Sequence, residues 1–480
     1  MNSAAAAFQD RVKAATCDRH LSAALLSATT RMATGRVVAL ESLADADAVR
    51  DHARRVRAHT IASLDGYLAR FAEAAEHSGA RVHWAPTAAD ATRIVVGIAL
   101  ARRARLAVKS KSMVTEEIAL NDALAAAGVR VVETDLGEYI IQLSGDRPSH
   151  IIAPVIHQTS ADVAALFRTK LGASDADVAD IPSMTAFARR TLRREFLRAD
   201  IGISGANFAV AETGSICIVT NEGNGRLTTS LPPVHVALVG IERVVPTVDD
   251  LGVMLQLLAR SATGQKLSVY TSIITGPRRR LGPSGVADGG DEPDGPDEVH
   301  IVLVDNGRSR ILASPSAEIL YCIRCGACLN ACPVYRSIGG HAYGGVYPGP
   351  IGSVFEPART REVGPSPLPH ASSLCGACRE VCPVRIDIPR LLLDLRAEPA
   401  SVAAAPWWLR STMAAYAFAA TRPRLFRLAA RTARVLTGLL SKDGWLARLP
   451  GPLAAWTARR DFPALAPRSF TERWLARRTR

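Results

Sequence analysis

Lysine is nearly absent from this chain: six lysines stand against 52 arginines in 480 residues. Aromatic residues make up only 5%, and no stretch reaches the ~18 uninterrupted apolar residues of a membrane span. The first residues also lack the continuous apolar core of a secretory signal, because Gln9, Asp10, Arg11 and Lys13 interrupt it. No G-x-G-x-x-G or G-x-x-x-x-G-K-[ST] motif occurs, so bound nicotinamide, flavin or nucleotide is not indicated. Neither a helix-turn-helix nor an aromatic–basic RNA surface is evident, which argues against nucleic-acid binding. These absences point to a cytoplasmic protein. At 48% hydrophobic residues the chain buries a core and is not disordered.

The positive charge is local. From Ser401 to Arg480 there are 15 Lys/Arg against three acids, leaving twelve of the thirteen surplus charges in the tail. The cysteines are equally uneven, with seven of nine in two short runs; Cys17 and Cys217 stand apart and read as buried or idle thiols, not ligands. Such clustering at ligand spacing suits a reducing compartment.

The first run is Cys322, Cys325, Cys328 and Cys332 followed by Pro333, a C-x2-C-x2-C-x3-C-P pattern. This spacing wraps a chain around an iron–sulfur cubane. The second is Cys375, Cys378 and Cys382, closed by Pro383. A tetrathiolate zinc site fits two such C-P runs poorly, and structural disulfides fit worse. In two-cluster ferredoxin folds the last cysteine of each run crosses to the other cluster. The first cluster would then take Cys322, Cys325, Cys328 and Cys382, and the second Cys332, Cys375 and Cys378. The fourth position of the second set holds Ser372. A three-iron cluster, a four-iron cluster with Ser372 or an external ligand, and completion by another residue or partner all remain open. Gly326 and Gly376 let backbone N–H groups approach the sulfides.

Four regions are expected: helical 1–80, an α/β domain over 81–312, a ferredoxin-type domain over 313–398, and a basic helical extension over 399–480. Apolar residues from Ala44 to Ser78 recur at three- and four-residue steps, and Gly79 sits at a C-cap. Strands are expected at Arg81–Ala85, Leu106–Val108, Val129–Thr134 and Ile151–Val155, with helices at Ala89–Arg103 and Thr115–Ala127 between them. That alternation implies a mainly parallel sheet covered on both faces. A helix follows at Phe187–Ala199, then β-rich runs at Asn207–Thr220, Val234–Val245 and Ser268–Thr275. A Gly/Asp/Pro-rich loop over Leu281–Glu298 precedes a strand at Val299–Val304. The Gly/Pro-rich stretch from Gly339 to Pro369 is expected to be irregular.

Several segments resemble the lactate-utilisation (LUD) domain: Val108–Ile118, Glu133–Gln142, Ser149–Pro154, Ala211–Ile216 and Pro232–His235. With the two cysteine runs they resemble the lactate-utilisation protein B family over about residues 45–395, and the tail is similar to that family's helical extension. The resemblance implies a LUD fold similar to sugar-phosphate isomerases and formyltetrahydrofolate cyclo-ligases. It also implies two iron–sulfur clusters (4Fe-4S), the second with three cysteines. The activity implied is oxidation of L-lactate to pyruvate, with two partners: a cysteine-rich, heterodisulfide-reductase-like subunit and a smaller LUD-domain protein.

Lys109, flanked by Ser110 and Ser112, follows an expected strand where α/β sheets place ligands. The Glu212-Thr213-Gly214-Ser215 turn offers backbone donors for a carboxylate or phosphate. A solvated lysine and a plain glycine turn are the bland alternatives. His157, His235 and His341 are proton acceptors by type but read as structural. In the tail, Arg424, Arg427, Arg431 and Arg434 share one helix face opposite Leu425, Leu428, Leu436 and Leu439, and five of the six tryptophans lie nearby. Such a helix docks on a partner or lies on an anionic membrane. An electron-transfer subunit of a lactate-oxidising complex is the expected function. A module for another 2-hydroxy acid such as glycolate is the alternative, and a cluster-containing regulator ranks below both.

Overall fold

The computed structural model describes residues 3–278, 295–360, 366–397, 407–449, 451–457 and 460–478. Most of the Gly/Asp/Pro-rich loop therefore lies outside the described residues. Chain contacts define two units, Met1–Ser401 and Val402–Arg480.

In the first unit four helices, Ser3–Cys17, Arg19–Glu41, Ala46–Ala62 and Leu64–His77, precede the sheet. Asp18 and Asp45 cap the second and third through their carboxylates. Gly79 follows the fourth at φ +90°, as a helix end of that kind requires.

Ten strands follow: β1 Arg81–Ala85, β2 Leu106–Lys109, β3 Arg130–Glu133, β4 Ile201–Gly205, β5 Phe208–Val210, β6 Ser215–Thr220, β7 Val234–Gly240, β8 Val244–Val245, β9 Tyr270–Ile274 and β10 Glu298–Val304. Six of them form an all-parallel sheet in the order β1-β10-β7-β4-β2-β3. Its central strand β7 is buried at every residue, as the near-continuous apolar run of a two-sided parallel sheet must be. β8, β5, β6 and β9 make a second, mixed sheet. The chain moves outward from β2 to β3, returns to β4 and then proceeds the other way. That reversal puts the carboxyl ends of β2 and β4 at the topological switch point.

The expected strand at Ile151–Val155 is absent: those residues form bends and turns. Ile151 and Ile152 pack on the cysteine region, and Val155 on the helical cluster around Ile140 and Phe167. Gly349–Thr360 is a helix inside the stretch expected to be irregular. Pro350 falls in its first turn, where a missing N–H costs nothing, and Ile351, Val354 and Phe355 recur at three- and four-residue steps into the core. The region expected as one helix over 115–127 is two, Met113–Glu117 and Leu120–Ala126, divided at left-handed Ala119.

One core runs without interruption from Ala237, Val239 and Ile301 of the sheet, through Leu25, Ala53 and Ile61 of the first helices, to Cys325, Leu329 and Tyr335. Helix Arg19–Glu41 packs on Val248–Ala262 on one side and on Ala327–Ala331 and Pro333–Ile338 on another. The other face of the sheet has its own core, including Ala91, Val95, Leu124 and Val236. The cysteine runs are thus built into the α/β core.

The second unit holds helices Trp407–Ala420, Pro423–Leu440 and Phe470–Arg478, with a short antiparallel pairing of Trp445–Leu446 and Phe462–Pro463. Helix Pro423–Leu440 buries no residue.

Candidate iron–sulfur centre

Each cysteine run begins with a tight loop and opens a short helix. Gly326, at φ +75°, caps Ala327–Ala331, and Gly376, at φ +87°, caps Ala377–Glu380. Only a residue without Cβ adopts that backbone freely. At Gly326 a Cβ would also press on Ile152 and on His150 at 3.3 Å. Pro333 starts the next helix after Cys332.

Cys322, Cys325, Cys328 and Cys382 line one apolar cavity together with Ile151, Ile351, Val384 and Ile386. Burial pushes the Cys325 thiol up to about 12 and Cys382 to about 11, and holds Cys328 well above the ordinary range. Cys332 and Cys378 are raised by burial first, and each then feels Cys375. Cys375 differs. It is exposed, and its thiol is lowered, first by the Ala377 N–H and then by the Ser373 hydroxyl. Backbone N–H groups point at other sulfurs too: Arg324 at Cys322 (3.3 Å), Tyr335 at Cys332 (3.5 Å) and Ile386 at Cys382 (3.3 Å).

Arginines lie near the first set of sulfurs: buried Arg57, Arg243 and Arg324 all feel Cys322, and half-buried Arg36 feels Cys325 and Cys382. The Arg324 guanidinium stacks on Phe355 at 4.1 Å and on Tyr347 at 4.4 Å. Its Nη2 lies 3.3 Å from Glu242. Burial alone would raise Glu242, but Arg308, then Arg324 and Arg243, bring it to about 2. Arg57 donates to the carbonyls of Glu242, Val244 and Leu320. Soft sulfur donors in a dry cavity, ringed by fixed cations, fit an anionic metal–sulfide group; bare thiols there would keep their protons. None of these arginines was visible in the sequence, since only their fold-mates distinguish them from 47 others.

The α/β domain meets the centre through Ser149–Ile152. The Tyr335 hydroxyl donates to the Ser149 carbonyl at 2.6 Å, Gly340 N–H donates to the Ser149 hydroxyl at 3.3 Å, and His150 pairs with Asn330 at 3.1 Å.

The other sequence-derived candidates lie apart. Lys109, 1% exposed, ends β2 at the switch point with its ammonium 2.7 Å from Glu133, 2.6 Å from Glu116 and 3.0 Å from Thr115. Burial would lower it, but Glu133 and Glu116 hold it above the ordinary range. Glu212 to Ser215 form the β5–β6 turn: Glu212 accepts from Val248 N–H, and Gly214 passes the backbone of Ala75 too closely for any Cβ. The turn's hydrogen bonds run to Pro246, Val248 and Thr275. His235 is buried against Ser204 at 2.8 Å. His157 pairs with Asp146 at 2.9 Å, and His341 with the Arg147 carbonyl at 2.7 Å.

Fold and site together define an iron–sulfur protein whose cysteine centre is grafted onto a parallel α/β domain. Residues 68–304 match the LUD domain, 318–386 the 4Fe-4S dicluster domain, and 402–479 the C-terminal domain of lactate utilisation protein B. Lactate utilization protein B of Shouchella clausii (strain KSM-K16) is 42% identical over 98% of this chain and 97% of its own length. The protein of the same name from Bacillus pumilus (strain SAFR-032) is 42% identical over 100% and 98%. A solved DUF162-family chain from Deinococcus radiodurans shares 14% identity over 50% of this chain and 98% of its own, at a TM-score of 0.26. This chain belongs to the lactate utilization protein B family. No helix among the described residues is long and apolar enough to cross a membrane.

Proposed function

We propose that this chain serves lactate utilisation as the iron–sulfur electron-transfer subunit of an assembly that oxidises L-lactate to pyruvate. The observation carrying this reading is the convergence of Cys382 from the second run with Cys322, Cys325 and Cys328 in one cavity. In the proposed assignment those four hold the first cluster, and Cys332, Cys375 and Cys378 hold the second. When bound, each cluster supplies a one-electron carrier, and the oxidation of lactate releases two electrons and two protons.

The protein's own part is to hold the carriers and set their surroundings. Isoleucines and Val384 keep water from the first set of sulfurs, and Arg57, Arg243 and Arg324 stabilise its negative charge. Exposed Cys375 makes the second set the exchange point with a partner. The partners proposed are a cysteine-rich, heterodisulfide-reductase-like subunit and a smaller LUD-domain protein. Leu428, Val435 and Leu439 of helix Pro423–Leu440, each at least 60% exposed, support a docking role for the tail. Its arginine face supports contact with an anionic membrane as the second reading.

Purifying the assembly anaerobically and omitting each subunit in turn tests the function. Lactate-dependent reduction of a dye should stop without this chain, and undiminished activity would overturn the reading. A preference for glycolate over lactate would select the other 2-hydroxy-acid module. Co-sedimentation with anionic vesicles, compared with a chain ending near Pro399, separates partner from membrane: only membrane contact makes the two behave differently.

A further inference from the structure

We propose that Ser372 supplies the fourth ligand of the second cluster through its Oγ, an oxygen donor at the station Cys322 occupies in the first. The inference rests on the two-cluster reading above and deepens it. Cys322-Ile-Arg-Cys-Gly-Ala-Cys328 and Ser372-Ser-Leu-Cys-Gly-Ala-Cys378 align residue for residue.

The backbones agree as closely as the sequences. Arg324 and Leu374, neither a glycine, are left-handed at φ +59° and +55°, and Gly326 and Gly376 follow at +75° and +87°. The Gly326 carbonyl accepts from Leu329 N–H at 3.0 Å, and the Gly376 carbonyl from Arg379 N–H at 2.9 Å. Within this shared frame Cys322 Sγ accepts the Arg324 N–H at 3.3 Å, and Ser372 Oγ accepts the Leu374 N–H at 3.1 Å. The heteroatom at 372 therefore stands, relative to its loop, where the ligand sulfur stands in the other. Arg396 holds the Ser372 carbonyl at 3.2 Å and fixes the residue from behind.

A serine that only completes a local turn would make the same backbone bond. It would not by itself explain the left-handed backbone at Leu374, which a non-glycine residue adopts only against steric strain. The matched loop keeps that strain in both copies, and in the first copy it aims a ligand. Ligation is redox-neutral: the hydroxyl gives its proton to solvent as the iron–oxygen bond forms. Oxygen is a harder donor than sulfur, so the iron it would hold would differ from those held by Cys332, Cys375 and Cys378.

The test uses the full chain, reconstituted anaerobically with 57Fe, and reads iron and sulfide content, Mössbauer spectra and the electron paramagnetic resonance of oxidised and reduced protein. The wild-type chain is expected to hold two complete four-iron clusters with one spectroscopically distinct iron. Ser372→Cys should keep all the iron and merge the distinct component with the rest. Ser372→Ala should lose one iron and give a three-iron signal on oxidation. Wild-type-like spectra in both variants, with both clusters complete, would overturn the Ser372 assignment alone. A wild-type chain loaded with zinc and no iron would instead overturn the cluster reading beneath it.

Discussion

Arg308 ties the α/β domain to the surroundings of the cysteines, and replacing it with methionine gives a sharp test. The side chain is fully buried, with Nη2 2.8 Å from Glu117 and Nε 2.6 Å from Glu242. Methionine keeps much of the volume but leaves two carboxylates without their shared cation. Breaking a buried pair from one side costs ~3–5 kcal/mol. Glu242 retains Arg324, and Glu117 retains Arg359 at 3.7 Å and the Tyr347 hydroxyl at 2.7 Å, so we expect the lower end, about 3 kcal/mol.

The pH dependence should weaken as well. In the native chain Glu117, like Glu242, lies below its ordinary value because Arg308 outweighs burial. Carboxyls depressed by the fold stabilise it above their unfolded value of ~4.3 and lose that contribution as the pH falls through the folded value. The wild-type contribution is therefore complete and flat from pH 5 to 7. In the variant, burial acts with less opposition, so both folded values move up, and less stability is gained as the pH rises from 3 to 7 than in the native chain. Urea midpoints by circular dichroism at pH 3 and pH 7 measure the effect, with the larger loss expected at pH 7. A loss below ~1 kcal/mol, or an equal loss at both ends, would refute the argument.

Three further outcomes are expected. Cys382→Ala should remove the first cluster's reduced signal and spare the second's, while Cys332→Ala should do the reverse; loss of each run's own cluster would reject the crossing. Gly340→Ala would place a Cβ 1.8 Å from the Ser149 carbonyl and should cost about 3 kcal/mol in thermal or urea unfolding, whereas an unchanged midpoint would show that the contact yields freely. Burial, then His300, brings His235 down to about 4. It is neutral in the fold, so its contribution holds above the unfolded value of ~6.5 and drains at about 1.4 kcal/mol per pH unit as the pH falls from there toward 4. His235→Gln should flatten that slope, and parallel slopes for both chains would remove His235 as its source.

The sequence by itself determined the features that are local. C-x2-C-x2-C-x3-C-P declares its ligand chemistry within twelve residues. β1 stands at Arg81–Ala85 and β10 one residue longer than Val299–Val304 because an alternation of short apolar runs and helical repeats is also a short-range signal. The matching loops at Cys322 and Ser372 were legible as a pattern with one odd member. Tertiary structure decided everything that needed a partner far along the chain. Ile151–Val155 has the composition of a strand, yet Ile151 and Ile152 lie against the cysteine loop and Val155 against the cluster of Ile140 and Phe167. Gly349–Thr360 looks irregular by content, yet the buried faces of Ile351, Val354 and Phe355 make it a helix. Arg57 resembles any arginine until its guanidinium meets the carbonyl of Glu242, 185 positions away. A buried charge is stable only where the whole fold brings its counter-groups together. That condition, which no window of sequence contains, places the cations around Cys322 and sets exposed Cys375 apart from the buried sulfurs.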